Sequence, residues 1–434
     1  RKLLEVVAVA GRPLDMEVAH GAAELEAEED PAVGLLRSEH LVRTRATEGR
    51  HEIETYHDRI REALIAQLPR DVLRDHHRSL ARAWETSGKG DPETLAIHCQ
   101  GAGELEHSAA YAAQAAEQAA HALAFDRAAR LYRFTLELHS HEAAEEQSLW
   151  VKIADALANA GRGAEAASAY LKAAGNAAPA DGLELRRSAA EQLLMSGHID
   201  EGLSVLREVL AAVGMKLART PEQALAGLVV RRAQLKLRGL RFREREESDL
   251  SSDELSRIDT CWSVGIGLAM VDTVRGTHFL SRHARLALQA GEPYRIARTL
   301  ALEACGSVTR GRRSRRRTER LLKAGWALAE RTENPHALGL LALASAATAN
   351  FQGRFPEAAE MCERAERILR DRCTGVAWEL DNTEIFRLHS HYWMGRWKDL
   401  AVRLPTLLRE ARERRDLFLA TYLGTRSFHA AHLA

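Results

Sequence analysis

The spacing of apolar residues changes within the first seventy positions of the chain. KLLEVVAVAG, PLDMEVAHGAAEL and DPAVGLLRSEHL have helical spacing and predict three short helices; Gly11 ends the first, and Asp30 caps the third ahead of Pro31. LVRTRAT and RHEIETYHD then alternate apolar with polar residues around the turn EGR, which is typical of a β-hairpin. Because three helices and a two-stranded wing are the order of a winged helix, we expect residues 1–70 to form a winged-helix-like domain. An irregular helical linker is the alternative.

From about residue 71 the spacing is helical throughout, and a two-helix pattern recurs. Its turns lie at Gly161, Gly197, Gly353 and Gly395, where a glycine permits a tight turn. After the first three, a small residue five positions later lets the second helix approach the first. The clearest copy follows the tetratricopeptide pattern at Trp150, Ile153, Ala154, Leu157, Gly161, Ala166, Tyr170 and Ala173.

The repeat pattern is interrupted once, in the charged stretch RRAQLKLRGLRFREREESDLSSDEL. We expect a long helix there and a capped restart at Ser252 or Asp253. The predicted domains after the winged helix are therefore helical repeats over 71–215, a charged helical break over 216–255 and further repeats over 256–434. The predicted fold class is mainly α: a winged-helix-like unit followed by a tetratricopeptide-like α-solenoid, or superhelix.

Composition supports a helical protein and limits its partners. Apolar residues make up 46% of the chain and aromatic residues only 5%, and Ala, Leu, Arg and Glu, which helices accept readily, dominate. Since 61 basic residues balance 61 acidic ones, no overall charge attracts the chain to nucleic acid or to an anionic membrane. We expect no membrane partner, and nucleic acid is disfavoured.

The five cysteines are scattered and never form a C-x2-C pair. This spacing argues against a disulfide framework or a zinc site and favours a cytoplasmic location. No stretch approaches the ~18 consecutive apolar residues of a membrane span. Because the chain starts at Arg1, inside a helical pattern, we expect it to be part of a longer protein.

Motifs for enzyme chemistry are weak in this sequence. GRGAEA at 161–166 matches a dinucleotide fingerprint, but no strand precedes it and its glycines already serve a predicted helix turn. The sequence has no phosphate loop and no H-R-D or D-F-G motif. HSHEAAEE and HSHYW pair histidines at a spacing that separates the two side chains on a helix. We therefore predict no catalytic residue, no metal site and no cofactor for this chain.

The segment RGRRSRRRTER is the strongest candidate for partner contact. Its arginines could hold a phosphate-bearing partner through bidentate hydrogen bonds, whereas the alternative is a solvated helix start. Without interleaved aromatic or amide side chains, sequence-specific DNA binding is disfavoured. The candidate residues are Arg310, Arg312, Arg313, Arg315, Arg316 and Arg317.

Four longer segments carry a resemblance to a known family: YHDRIREALIAQLP, LAIHCQGAGELEHSAAYAAQAAEQAAHALAFDRAARLY, DRCTGVAWELD and LPTLLREARERRDLFLATYL. The chain resembles the C-terminal part of large bacterial signalling proteins. In these, an ATPase module of the signal-transducing AAA/STAND type precedes a winged helix and a tetratricopeptide superhelix, often behind a Ser/Thr kinase domain. The phosphate loop and the kinase motifs of such proteins are missing here, so their activity is not carried over.

The resemblance implies regulation through a protein that binds the concave face of the repeats, together with an upstream ATPase module that binds ATP or ADP. It also implies that His57 reaches the nucleotide phosphates and holds a resting state closed. The alternative for His57 is a histidine packed where the hairpin meets the next helix, with Asp58 as the cap of that helix. The rival function is a transcription regulator whose winged helix or arginine cluster binds DNA.

Overall fold

A computed structural model describes residues 1–25, 31–47, 50–269 and 272–425. Within these ranges the chain forms 22 α-helices and three short strands, so the prediction of a mainly α protein is confirmed. The chain divides into two compact units, Arg1–Leu149 and Trp150–Ala434. Among the described residues, none of the helices combines the length and the apolar content that crossing a bilayer requires.

Unit 1 opens with three helices and a small antiparallel sheet in which β3 is central and β1 and β2 flank it. Leu14 of β1 pairs with Ile53 of β3, and both side chains are fully buried. The predicted cap Asp30 and most of the predicted turn EGR lie outside the described residues. The elements are α1 (Lys2–Ala10), β1 (Leu14–Asp15), α2 (Met16–Ala23), α3 (Pro31–Ser38), β2 (Val42–Thr47) and β3 (Arg50–Thr55).

The rest of unit 1 is helical, and from α5 to α8 each helix packs on the next. Glycines in the left-handed conformation end two of the helices: Gly88 after α5 and Gly103 after α6. The helices are α4 (Asp58–Gln67), α5 (Arg70–Ser87), α6 (Pro92–Ala102), α7 (Leu105–His121) and α8 (Phe125–Leu138); α9 (Ala143–Asn159) crosses into unit 2.

Unit 2 is a succession of helices. Most pack on the next in sequence, and several, such as α16 with α18 and α18 with α20, also pack on the next but one. The helices after α9 are α10 (Gly163–Gly175), α11 (Pro179–Met195), α12 (Ile199–Ala212), α13 (Pro221–Arg238), α14 (Ser252–Leu268), α15 (Thr273–Ala290), α16 (Pro293–Val308), α17 (Arg315–Thr332), α18 (Pro335–Phe351), α19 (Phe355–Arg372), α20 (Ala377–Trp393), α21 (Trp397–Glu413) and α22 (Leu417–Thr425).

The predicted turns between paired helices are present in unit 2. Gly161, Gly197, Gly353 and Gly395 all have positive φ, between 71° and 88°, a conformation that favours glycine. Ala166, the small residue predicted five positions after Gly161, is fully buried in α10. The turn glycines therefore connect helices that approach each other closely.

The charged stretch after α12 contains one helix and an irregular segment. Helix α13 ends at Arg238, and a short 3-10 turn at Glu247–Asp249 precedes the next helix. Ser251 caps α14, and its side chain and that of Glu254 form a reciprocal capping box. The predicted restart therefore lies one residue from its expected position, because the serine that accepts the first free N–H groups precedes the helix.

The first helices of unit 2 contact its last ones. The backbone N–H groups of Leu417 and Phe418, at the start of α22, both donate to the carbonyl oxygen of Ser196 after α11, at 2.9 Å and 3.3 Å. The backbone N–H of Gly375 donates to the side-chain oxygen of Asn159 in α9. Residues more than 200 positions apart in sequence are thereby joined by hydrogen bonds.

Candidate functional site

Unit 2 contains a cavity of about 420 Å³. It is lined by side chains of α11, α14, α16 and α18 and by the connection between α19 and α20. That connection belongs to the segment DRCTGVAWELD. The segment contributes Arg372, Cys373, Thr374, Gly375, Val376 and Glu379 to the lining.

Local backbone conformation explains how this connection reaches the cavity. Helix α19 ends where Cys373 becomes extended, and Gly375 takes a positive φ of 70° before α20 starts at Ala377. Thr374 and Gly375 are exposed, whereas Val376 is buried. The loop is therefore anchored in the core on one side and presents its polar residues on the other.

A carboxylate shared by two arginines forms one wall of the cavity. Asp259 of α14 accepts hydrogen bonds from Arg295 Nη2 at 2.6 Å and from Arg298 Nη2 at 2.5 Å. Burial alone would raise the pKa of Asp259, but Arg298 and Arg295 outweigh it and lower that pKa to about 2. Asp259 is therefore ionised over the physiological pH range and fixes both guanidinium groups.

Arg298 is also held by two aromatic rings. Its guanidinium carbon lies 4.4 Å from the centre of the Trp262 ring and 4.7 Å from that of Tyr294. A guanidinium stacked on aromatic faces gains cation–π attraction and loses side-chain freedom. The wall is thus rigid before any partner arrives.

Tyr294 also begins a chain of hydrogen bonds through His336 in the cavity lining. The Tyr294 hydroxyl lies 2.9 Å from His336 Nδ1, and His336 Nε2 lies 3.1 Å from Glu379 Oε1. If the phenol donates to Nδ1, the proton on Nε2 donates to the carboxylate, so every member is satisfied with a neutral imidazole. Burial raises the pKa of the Tyr294 hydroxyl, which therefore stays protonated. This arrangement fixes donors and acceptors and gives Tyr294 no nucleophilic character.

Among the described residues, Arg372 is a cation of the cavity lining that has no acidic partner. Arg187 is held by Glu191 at 2.6 Å and by Ser263 at 2.5 Å. In the described part of the chain, by contrast, Arg372 has no carboxylate within ion-pair distance, and its side chain is exposed. Arg372 at the end of α19 is therefore available to an acidic group on a partner.

His57 lies between β3 and α4 and is itself the N-cap of α4. Its Nδ1 accepts a hydrogen bond from the backbone N–H of Arg59 at 3.2 Å. The prediction that Asp58 caps this helix is wrong: the chain is still extended at His57, so Asp58 is the first helical residue. There its charge favours the positive end of the helix dipole. His57 is also exposed rather than packed at the corner.

A second cavity, of about 290 Å³, lies around His57. Arg12, Arg43 and Arg61 line it together with Glu54 and the histidine. Because Nδ1 of His57 accepts a backbone hydrogen bond, the neutral imidazole carries its proton on Nε2. That proton can be donated to an anion, and Arg61 adds positive charge beside it. Arg12 and Arg43 are already paired, with Asp91 at 2.9 Å and with Glu54 at 2.8 Å.

The arginine cluster predicted at 310–317 lies between α16 and α17. Arg312 and Arg313 are in a short 3-10 turn, and Arg315 begins α17, whose first turn contains no acidic residue. Such cations oppose the usual preference for negative charge at a helix N-terminus. Arg315 pairs with Glu319 at 2.9 Å and Arg317 with Glu303 at 3.5 Å. The other four arginines, Arg310, Arg312, Arg313 and Arg316, are exposed.

Sequence reasoning missed the residues that form the cavity walls, chiefly Asp259, Tyr294, Arg298 and His336. The available signal was a charged residue within an apolar helical run. Asp259 stands alone among the apolar positions of IDTCWSVGIGL, and Arg298 is itself buried within α16. A buried charge requires a partner, but the helix that supplies that partner is not evident from periodicity.

The chain matches no protein-family model, and a search of curated proteins returned no match. Within the described ranges, no group of three or more His, Cys, Asp or Glu side chains is arranged to hold a metal ion.

Proposed function

We propose that this chain is the regulatory, protein-binding region of a bacterial signalling ATPase or kinase of the STAND type. In this proposal the first seventy residues form a winged-helix-like domain, and the later helices form tetratricopeptide-like repeats of a superhelix. Two observations support it: the order of three helices followed by the paired strands β2 and β3, and the positive-φ glycines between paired helices. The chain itself is not an enzyme, and ATP or ADP binds to the upstream module.

The cavity of unit 2 carries the proposal. It brings the DRCTGVAWELD segment together with the fixed Arg298 stack and the His336 hydrogen-bond chain. Groups that are ordered before binding lose little freedom when a partner arrives, so such a lining favours recognition. We assign this cavity to the concave face of the repeats and propose that a segment of a partner protein enters it, with an acidic group close to Arg372.

His57 is the proposed link to the nucleotide. An exposed imidazole whose Nε2 can donate, beside Arg61, suits contact with phosphate oxygens of ADP held by the upstream ATPase module. Loss of that contact would open the resting state. We also propose a cytoplasmic location, which the five free cysteines support.

Photo-crosslinking tests the cavity. A photoreactive amino acid replaces the exposed Thr374 at the cavity, and a control protein carries it at the exposed Arg207 of α12. We expect a defined protein adduct from position 374 only, either with a separate protein or with the upstream module. Arg372→Ala should abolish that adduct. The same adducts from both positions, or an adduct from 374 that survives Arg372→Ala, would contradict partner binding in the cavity.

One observation supports a second candidate, a transcription regulator that binds DNA. Helix α3 has no buried side chain, and Arg43 and Arg45 of the neighbouring strand β2 lie on the same unit. However, both arginines approach Glu54, at 2.8 Å and 3.5 Å, which reduces their attraction for phosphates. The regulatory proposal is therefore preferred.

A further inference from the structure

Helices α13 and α15 bring three arginines together. Three contacts fix the alignment of the two helices. Near their N-termini, Arg275 donates a hydrogen bond to the carbonyl oxygen of Ala218, just before α13, at 2.9 Å. Further along, His278 Nε2 lies 3.1 Å from the position that a Cβ on Gly227 would take, and near the C-termini Arg238 donates to the carbonyl oxygen of Leu288 at 2.8 Å. The contacts advance together along both helices, so the helices run in the same direction. Arg231 in α13 therefore lies alongside the stretch of α15 that contains Arg282 and Arg285.

The protein does not neutralise these three arginines. Within the described residues, none of Arg231, Arg282 and Arg285 has a carboxylate at ion-pair distance, and Arg231 bonds only to the Gln234 amide oxygen, at 3.2 Å. The nearby acid Glu303 of α16 already pairs with two other arginines, Arg232 and Arg317. The cluster therefore keeps a net positive charge.

Burial and the repulsion among like charges lower the pKa of groups within and beside the cluster. Burial, followed by the charges of Arg285 and Arg282, lowers the pKa of Arg231. Burial, followed by the charges of Arg231 and Arg282, also lowers the pKa of His278. Guanidinium groups nevertheless stay protonated at neutral pH, so the three like charges remain in place at a cost to stability.

Two buried nitrogen atoms at the cluster, Arg285 Nε and His278 Nδ1, also have no hydrogen-bond partner among the residues that the structure describes. Buried polar atoms are normally satisfied in folded proteins. Uncompensated charge and incomplete hydrogen bonding therefore coincide at one place, on the two packed helices.

We infer that Arg231, Arg282 and Arg285 form a binding site for a phosphoryl group, supplied by inorganic phosphate or by the phosphate of a small molecule. Planar guanidinium groups donate in pairs to tetrahedral oxyanions, which lysines cannot do in the same way. The dianion balances charges that the protein leaves unbalanced. The site differs from both the cavity of unit 2 and the His57 pocket and does not depend on the function proposed above.

Thermal unfolding of the full chain in phosphate, and in chloride of equal ionic strength, tests the site. At about ten times the dissociation constant, phosphate should raise the Tm of the wild type by roughly 1.5–2.5 °C. Arg282→Gln should lose this rise. In chloride the same variant should unfold at the wild-type temperature or above it, because one repelling charge is gone. Arg207→Gln, at an exposed arginine of α12, is the matched control and should keep the full rise.

Calorimetric titrations with pyrophosphate, with a phosphorylated sugar and with duplex DNA identify the source of the phosphoryl group. The site would be supported if the wild type binds the small phosphates and if both Arg282→Gln and Arg231→Gln lose that binding. Three results would overturn it: no rise with any small phosphate, an undiminished rise in both variants, or binding of DNA alone. A lower Tm of Arg282→Gln than of the control in chloride would also overturn it, because the arginine would then be a structural residue.

Discussion

The contact between the first and last helices of unit 2 can be tested by replacing Gly197 with alanine. Gly197 has a φ of 88°, and a Cβ there would lie 2.8 Å from the backbone nitrogen of Phe418. A residue with a Cβ costs about 1–2 kcal/mol in this left-handed conformation. The backbone at Phe418 would also have to move, which weakens two hydrogen bonds to the Ser196 carbonyl at about 1 kcal/mol each. We expect a total loss of about 2–4 kcal/mol in the free energy of unfolding.

Gly353→Ala supplies the matched control. Gly353 has a φ of 75°, close to that of Gly197, but no atom of the described residues lies within 4 Å of the position of its Cβ. This variant should lose only the conformational part, about 1–2 kcal/mol. Because alanine restricts the unfolded chain equally in both variants, the difference between them isolates the contact with α22.

Urea unfolding followed by circular dichroism measures the loss in the free energy of unfolding for each variant. Hydrogen exchange shows where in the structure each loss arises. The amides of Leu417 and Phe418 donate to Ser196, so they should exchange faster in Gly197→Ala and not in Gly353→Ala. Equal losses in the two variants, within about 0.5 kcal/mol, together with unchanged exchange at these amides, would refute the contact.

Two further predictions concern the cavity and the rival function. Burial opposes ionisation of Asp259, but Arg298 and Arg295 lower the pKa of its carboxyl to about 2. The ionised carboxylate therefore stabilises the fold fully above the ordinary carboxyl pKa of ~3.9, and this stabilisation is lost as the pH falls towards 2. The stability gap between wild type and Asp259→Asn in acid titrations should therefore narrow over that range; a constant gap would mean that the ion pair does not act there. For the rival function, we expect no binding of duplex DNA at low salt in gel-shift or anisotropy titrations. Salt-dependent binding that Arg43→Ala and Arg45→Ala weaken would favour the transcription regulator.

Local features of the sequence predicted much of the fold. Helical spacing predicted a mainly α chain, and Gly161 and Gly353 marked turns because only glycine adopts positive φ at low cost. The alternation before His57 predicted the strand β3. These predictions succeed because each depends on residues within a few positions of one another.

The cavity could not be predicted in the same way. Asp259 binds Arg298, 39 positions away, and His336 binds Glu379, 43 positions away, and which helices meet is decided by the packing of the whole unit. The prediction that Asp58 caps α4 failed for a local reason. Aspartate is a commoner cap than histidine, but the extended backbone at His57 makes His57 the N-cap and Asp58 the first helical residue.

The most direct test of the proposed regulatory role is the rate of ADP dissociation from a polypeptide that joins this chain to the ATPase module proposed to precede it. The comparison is between wild type, His57→Ala and, as control, His51→Ala, which removes another exposed histidine of the same strand-to-helix segment. The account predicts faster ADP release for His57→Ala only, with the helical circular dichroism unchanged. Release at the wild-type rate from His57→Ala, or equally fast release from His51→Ala, would contradict it.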